Sequence, residues 1–130
     1  MLKKILAVDD EANIVEFLKE ALESTNKYYI EKCTSGSVAE MLSKSIKYEL
    51  IVSDYKMPNL NGAELAKNIR SNDGPNKDAP ILFISSYERI VLEETKDLTG
   101  IHFMNKPILI KDLFERVEGI IGAKAKKTKK

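Results

Sequence analysis

One cysteine, Cys33, stands among 130 residues. An internal disulfide is thereby excluded, a thiolate zinc site has no ligand set, and the composition fits a reducing compartment such as the cytosol. Cys33 itself reads as a buried strand residue. No apolar run approaches the roughly 20 residues that a membrane-spanning helix needs. The opening Met1-Leu2-Lys3-Lys4 followed by Ile5-Leu6-Ala7-Val8 has the charge order of a signal peptide. Its apolar stretch stops after four residues at Asp9-Asp10-Glu11, so that reading fails. Internal repeats are missing, and His102 is the one histidine.

A dominant charge is lacking too, and the formal net charge of +1 misleads. Of 21 basic side chains, five lie in the last seven residues; the remaining 16 face 20 acidic ones, so the body is acidic. Residues 123–130 read as a short, basic, disordered tail, a solvated end or linker stub rather than a contact for nucleic acid or an acidic membrane. Residues 1–122 read as one domain, long enough to bury a core without staples. Hydrophobic residues at 43% and charged ones at 32% are ordinary for a globular protein.

Short apolar runs alternate with helical patterns. Ile5-Leu6-Ala7-Val8 ends in carboxylates, Leu50-Ile51-Val52 at Ser53-Asp54, Ile81-Leu82-Phe83-Ile84 at Ser85-Ser86, and Ile101-His102-Phe103-Met104 at Asn105-Lys106-Pro107. Continuous runs of this kind suit strands of a parallel sheet covered on both faces. The more mixed Tyr28–Cys33 reads as a fifth strand nearer an edge. Between them, Ile14, Phe17, Leu18, Ala21 and Leu22 mark one apolar helix face. Ser37-Val38-Ala39-Glu40 has the form of a capping box opening a helix with Val38, Met41 and Leu42, and Asn61-Gly62-Ala63-Glu64 opens another with Leu65 and Ile69 inward. Residues 88–98 form a weakly periodic helix, residues 71–80 a surface loop, and Ile110, Leu113, Phe114, Val117 and Ile121 the face of a last helix.

Five strands alternating with five helices make a doubly wound, three-layer α/β domain. Right-handed crossovers place the carboxyl ends of all strands along one edge, where such sheets bind ligands. Those ends carry Asp9-Asp10, Asp54, Ser85 and Lys106-Pro107. Singly, each has a plain structural explanation: a helix cap, a turn residue, a solvated charge. Together, three carboxylates at one edge repel unless a cation compensates. Hard oxygen ligands with room for water suit Mg²⁺.

Asp9-Asp10, the run Asp54-Tyr55-Lys56-Met57-Pro58-Asn59-Leu60-Asn61-Gly62, Ser85 and Lys106-Pro107 closely resemble the receiver domains of two-component response regulators, the chemotaxis regulators among them. The resemblance covers residues 3 to about 121. It implies a flavodoxin-like sandwich with strand order 2-1-3-4-5 and a phosphoacceptor at Asp54. It further implies Mg²⁺ held by Asp10, Asp54 and the Lys56 backbone carbonyl, with Asp9 acting through water. Lys106 and Ser85 would contact phosphoryl oxygens, Pro107 would be cis, and Ser85 with Phe103 would form the switch. A histidine kinase or phosphotransfer protein would supply the phosphoryl group to this cytoplasmic domain. The phosphorylated chain would regulate a protein partner through the 88–121 surface, as a monomer or as a phosphorylation-dependent dimer, with no nucleic acid or membrane bound by the domain itself. It would not be an enzyme on a separate substrate, but a phosphoacceptor assisting its own phosphorylation and dephosphorylation.

Some positions depart from the commonest pattern. Ser85 stands where threonine is commoner, and Phe103 lacks a tyrosine hydroxyl at the aromatic switch position. Lys56 and Tyr87 fill variable positions. His102, on a strand, is misplaced for a kinase-type phosphohistidine. Three other readings compete: a receiver-like binding module that works without phosphorylation, a phosphatase with an Asp nucleophile, and a flavin-binding electron carrier. The first is disfavoured because every site position holds a competent residue. The second lacks an acid two residues after the nucleophile, where Lys56 stands. The third meets Asp9-Asp10-Glu11 where a phosphate would have to bind.

Overall fold

Which face of the sheet each apolar residue serves is set by strand alternation, and two cores result. The computed structural model describes residues 2–128, with side chains described through residue 123. Its strands are β1 (Lys3–Val8), β2 (Tyr28–Cys33), β3 (Leu50–Ser53), β4 (Ile81–Ser85) and β5 (Ile101–Asn105). Its helices are α1 (Ala12–Glu23), α2 (Gly36–Ser43), α3 (Gly62–Ser71), α4 (Glu88–Glu94) and α5 (Ile110–Thr128). All strand pairs are parallel and the order is β2-β1-β3-β4-β5. On β1, Ile5 and Ala7 join one core with Val15, Leu18 and Leu22 of α1 and Leu113 and Val117 of α5. Leu6 and Val8 join the other with Ala39 of α2, Leu65 and Ile69 of α3, and Val91 of α4. Two helices therefore cover one face and three the other.

The interior strands β1, β3 and β4 are continuous apolar runs because both their faces are buried. β2 and β5 form the edges. On β2 the free edge is partly closed by α1: the Glu23 carboxylate accepts the Ile30 N–H at 2.9 Å, which blunts an otherwise open pairing edge.

Five local expectations are corrected. In α2 the N-cap is Ser35, whose side chain accepts the Val38 N–H, and the inward residues are Gly36, Ala39 and Ser43. Val38 and Met41 face solvent instead, 42% and 64% exposed. The reason is close approach: a Cβ on Gly36 would lie 2.4 Å from the Leu60 carbonyl oxygen, so small residues must turn inward here. The helix expected over 88–98 ends at Glu94, because Leu92 faces solvent, residues 93–97 are all polar, and Thr95 turns its hydroxyl back to the Val91 carbonyl. The 71–80 loop is not wholly superficial. Asn76 is buried, donating to the Ser43 and Ile46 carbonyls and accepting from the Tyr48 N–H. Finally, α5 runs on to Thr128, since alanine and lysine are good helix formers and lysine suits a helix C-terminus. Residues 129 and 130 lie outside the described residues. Ile110, expected on the inward face of α5, is 47% exposed; Leu113, Val117, Ile120 and Ile121 carry that face.

Candidate functional site

The carboxyl ends of β1, β3, β4 and β5 converge as the alternation implies. β1 delivers Asp9 and Asp10 and β3 delivers Asp54. Asp9 is 2% and Asp54 7% exposed, whereas Asp10 is exposed. Asp9, Asp10 and Asp54 each offer a carboxylate oxygen within 4.8 Å of the others. Asp9 is also fixed locally, its Oδ1 accepting the Glu11 N–H at 2.9 Å. Asp54 Oδ1 accepts the Tyr55 N–H at 2.7 Å. Glu11 occupies the N-cap position of α1 without capping it through its side chain.

Lys106, from the loop after β5, answers this negative cluster. Its ammonium lies 3.1 Å from both Asp9 Oδ2 and Asp54 Oδ2, and 3.9 Å from Glu11 Oε1. Burial works to lower the Lys106 pKa, but its hydrogen bonds to Asp9 and Asp54 outweigh that and hold it above the ordinary lysine value. Asp9 is pushed up by burial, and by the Asp54 charge, with the Glu11 N–H and Lys106 only partly offsetting the rise. The pocket is thus an acidic cluster with one shared cation, and one of its carboxylates resists ionisation. The Lys106–Pro107 peptide is cis.

A cleft of about 580 Å³ opens beside the cluster, lined by Asp10, Glu11, Asp54 and Lys106. Lys56, Met57, Pro58, Ser86 and Tyr87 line it as well. The loop after β3 is tightly seated. A Cβ on Gly62 would lie 2.1 Å from the Asp54 carbonyl oxygen and 2.9 Å from Phe83, and the Gly62 N–H donates to the Tyr55 carbonyl at 2.7 Å. Only glycine allows this approach. The Asn61–Glu64 capping box starts α3 immediately afterwards.

The donor set tests well for a hard divalent cation. Three carboxylates supply oxygen only, Asp10 faces the open cleft, and the cleft leaves room for water ligands, as Mg²⁺ requires. Chain organisation thus brings Asp9, Asp10, Asp54, Lys56 and Lys106 together. Two candidates stand apart. Ser85 is fully buried outside the cleft's lining, its hydroxyl accepting the Tyr87 N–H at 3.1 Å; the adjacent Ser86 lines the cleft instead. Phe103, half-buried, is paired in register with Phe83 and packs against the core beneath α2, α3 and α4.

A family model for the response regulator receiver domain matches residues 5–118. The chain belongs to the response regulator receiver domain family. A probable chemotaxis protein CheY of Rhizobium etli is 24% identical over 120 residues, spanning 92% of this chain and 93% of that one. Response regulator ArlR of Staphylococcus saprophyticus is 30% identical over 122 residues, which is 91% of this chain and 52% of the longer relative. Among solved structures, chemotaxis response regulator CheY4 of Vibrio cholerae superposes with a TM-score of 0.83 at 25% identity, covering 92% of this chain and 99% of that one. The receiver domain of sensor histidine kinase PA1611 from Pseudomonas aeruginosa, solved with a magnesium ion coordinated in its active site cleft, gives 0.78 at 21% identity, covering 94% and 99%. This receiver domain shares their five-stranded parallel fold and strand order.

Sequence reasoning missed Tyr55 and Glu11. The Tyr55 hydroxyl donates to Glu94 at 3.1 Å and its ring packs on Tyr87 at 5.9 Å. No sequence periodicity signals a contact across 39 positions.

Proposed function

We propose that this receiver domain is a phosphorylation-controlled switch of the cytoplasm that accepts a phosphoryl group on Asp54. The observation that carries the reading is the Lys106 ammonium, 3.1 Å from oxygens of both Asp9 and Asp54 beside an open cleft. That geometry supplies a nucleophilic carboxylate, a cation for a transferred phosphoryl oxygen, and access for a donor. The donor class is a phosphohistidine on a kinase or phosphotransfer protein, or a small acyl phosphate. An Asp54 carboxylate oxygen attacks phosphorus, the bond to the donor's nitrogen or oxygen breaks, and the electron pair leaves with the donor.

Asp10, Asp54 and the Lys56 backbone carbonyl would hold Mg²⁺ directly, with Asp9 through water. When bound, the ion supplies positive charge that offsets the carboxylates and the phosphoryl oxygens. Lys106 then has a new anionic partner on Asp54 and binds it as a compact cation. Ser85, outside the lining of the cleft, swings its hydroxyl toward another phosphoryl oxygen and so away from the Tyr87 N–H. A phosphoryl group brings about two negative charges and three acceptor oxygens, enough to favour that movement by a few kcal/mol. Phe103 moves into the space vacated, and the surface of α4, β5 and α5 changes for a protein partner. The domain is a phosphoacceptor rather than an enzyme with a separate substrate, and it assists its own phosphorylation and dephosphorylation.

NMR with a beryllofluoride mimic tests the output. Chemical shifts should spread from Asp54 through Ser85 to Phe103 and residues 88–98, and Ser85→Ala should confine them to the pocket. Distant shifts concentrated on α1 or α2 would contradict the proposed surface.

A further inference from the structure

No step of phosphoryl transfer uses the side chain of Tyr55, the residue next to the acceptor. Its contacts nonetheless tie Asp54 to both ends of α4. The Tyr55 N–H donates to Asp54 Oδ1 at 2.7 Å. Its hydroxyl donates to Oε2 of Glu94, the last residue of α4, at 3.1 Å. Its ring lies 5.9 Å from the ring of Tyr87, tilted by 49°, and Tyr87 is the N-cap of α4. The Tyr87 N–H in turn donates to the Ser85 hydroxyl at 3.1 Å. Beyond these, Asn105 donates to Glu88 at the start of the helix at 3.4 Å. The helix is seven residues long with Val91 as its one buried residue, while Ile90 and Leu92 are 43% and 45% exposed. So short a helix depends on tertiary contacts for its place.

The geometry points to Tyr55 as a positioning residue, a latch whose bond to Glu94 and contact with Tyr87 hold α4 where Ser85 keeps its hydroxyl on Tyr87. The inference rests on Asp54 being the phosphoacceptor. Ser85 lies outside the lining of the cleft, so swinging its hydroxyl to a phosphoryl oxygen there carries the oxygen away from the Tyr87 N–H it now accepts. The latch and the phosphoryl group therefore favour opposite arrangements of α4. By reciprocity, loosening the latch eases phosphorylation, and phosphorylation loosens the latch.

Three single variants and one double variant of the full chain test this. Tyr55→Phe keeps the ring and removes the hydroxyl, Glu94→Ala removes the acceptor, and Glu94→Gln keeps one. Hydrogen exchange of residues 88–94 is measured in the metal-free, unphosphorylated chain. The initial rate of mass gain is measured with acetyl phosphate and Mg²⁺. Tyr55→Phe and Glu94→Ala should exchange faster over α4 and phosphorylate faster by a common factor, at most about tenfold for one exposed hydrogen bond. The double variant should gain no more than either single one, and Glu94→Gln should behave as the unaltered chain. Unchanged exchange of α4 in Tyr55→Phe overturns the latch, whether or not Asp54 is phosphorylated. Faster exchange with an unchanged phosphorylation rate overturns its coupling to the acceptor. Absence of any mass gain in the unaltered chain refutes the acceptor assignment and the coupling with it, while the exchange data still decide the latch.

Discussion

Replacing Lys106 by alanine leaves Asp9, Asp10 and Asp54 within 4.8 Å of one another with no cation between them. Each attraction lost, across 3.1 Å, is of order 5 kcal/mol at an effective dielectric near 20. Much of that is returned, because the ammonium no longer has to be desolvated. Breaking a buried pair by removing one partner costs about 3–5 kcal/mol. The Lys106 side chain retains 18% exposure and the cleft admits water to Asp54. The expected loss is therefore smaller, about 2–3 kcal/mol in metal-free buffer. Urea denaturation with and without Mg²⁺ is the assay. Lys106→Ala should gain more from Mg²⁺ than the unaltered chain does, because the ammonium competes with the ion for Asp9 and Asp54.

The pH dependence has a definite sign. The raised Lys106 pKa means that its pairing contributes fully below 10.5 and is lost as pH rises through the folded value. The raised Asp9 pKa means that the folded chain binds this proton more tightly than the unfolded one. That contribution is present below 3.8 and lost as pH rises through the higher folded value. Equal metal-free stability of Lys106→Ala and the unaltered chain, or a smaller Mg²⁺ gain in the variant, would refute the shared-cation reasoning.

Two further expectations concern the scaffold around the site. Gly62→Ala places a Cβ against the Asp54 carbonyl and Phe83, so it should cost more than about 2 kcal/mol in denaturant titration and also weaken Mg²⁺ binding, since the Asp54 loop must shift. Asn76→Ala removes three hydrogen bonds, two of them buried, and orphans the Tyr48 N–H, which should cost about 2–4 kcal/mol with Mg²⁺ binding unchanged. A loss under 1 kcal/mol for Asn76→Ala, about the net worth of one ordinary hydrogen bond, would mean that water replaces its partners.

Strand ends were legible because each apolar run stops abruptly at the residues that form the site. Asp9, Asp54 and Lys106 all sit at such stops, and the alternation alone puts them on one edge. The face of α2 was not legible. Val38 and Met41 are its large apolar residues, yet the helix turns Gly36, Ala39 and Ser43 inward because the Leu60 backbone lies too close for larger ones. Hydrophobicity predicts burial only where there is room. The end of α4 at Glu94 and the buried Asn76 escaped for a related reason, since both depend on side-chain-to-backbone bonds, one at Thr95 and three at Asn76, that carry no periodic signal. Ser85 was read correctly as a strand-end hydroxyl, but its engagement with Tyr87 rather than the cleft is a matter of tertiary geometry.

Intact mass of the chain after incubation with acetyl phosphate and Mg²⁺ tests the central claim most directly. One added phosphoryl group is expected in the unaltered chain, none in Asp54→Ala, and none when Mg²⁺ is removed by a chelator. Undiminished phosphorylation of Asp54→Ala would contradict the account.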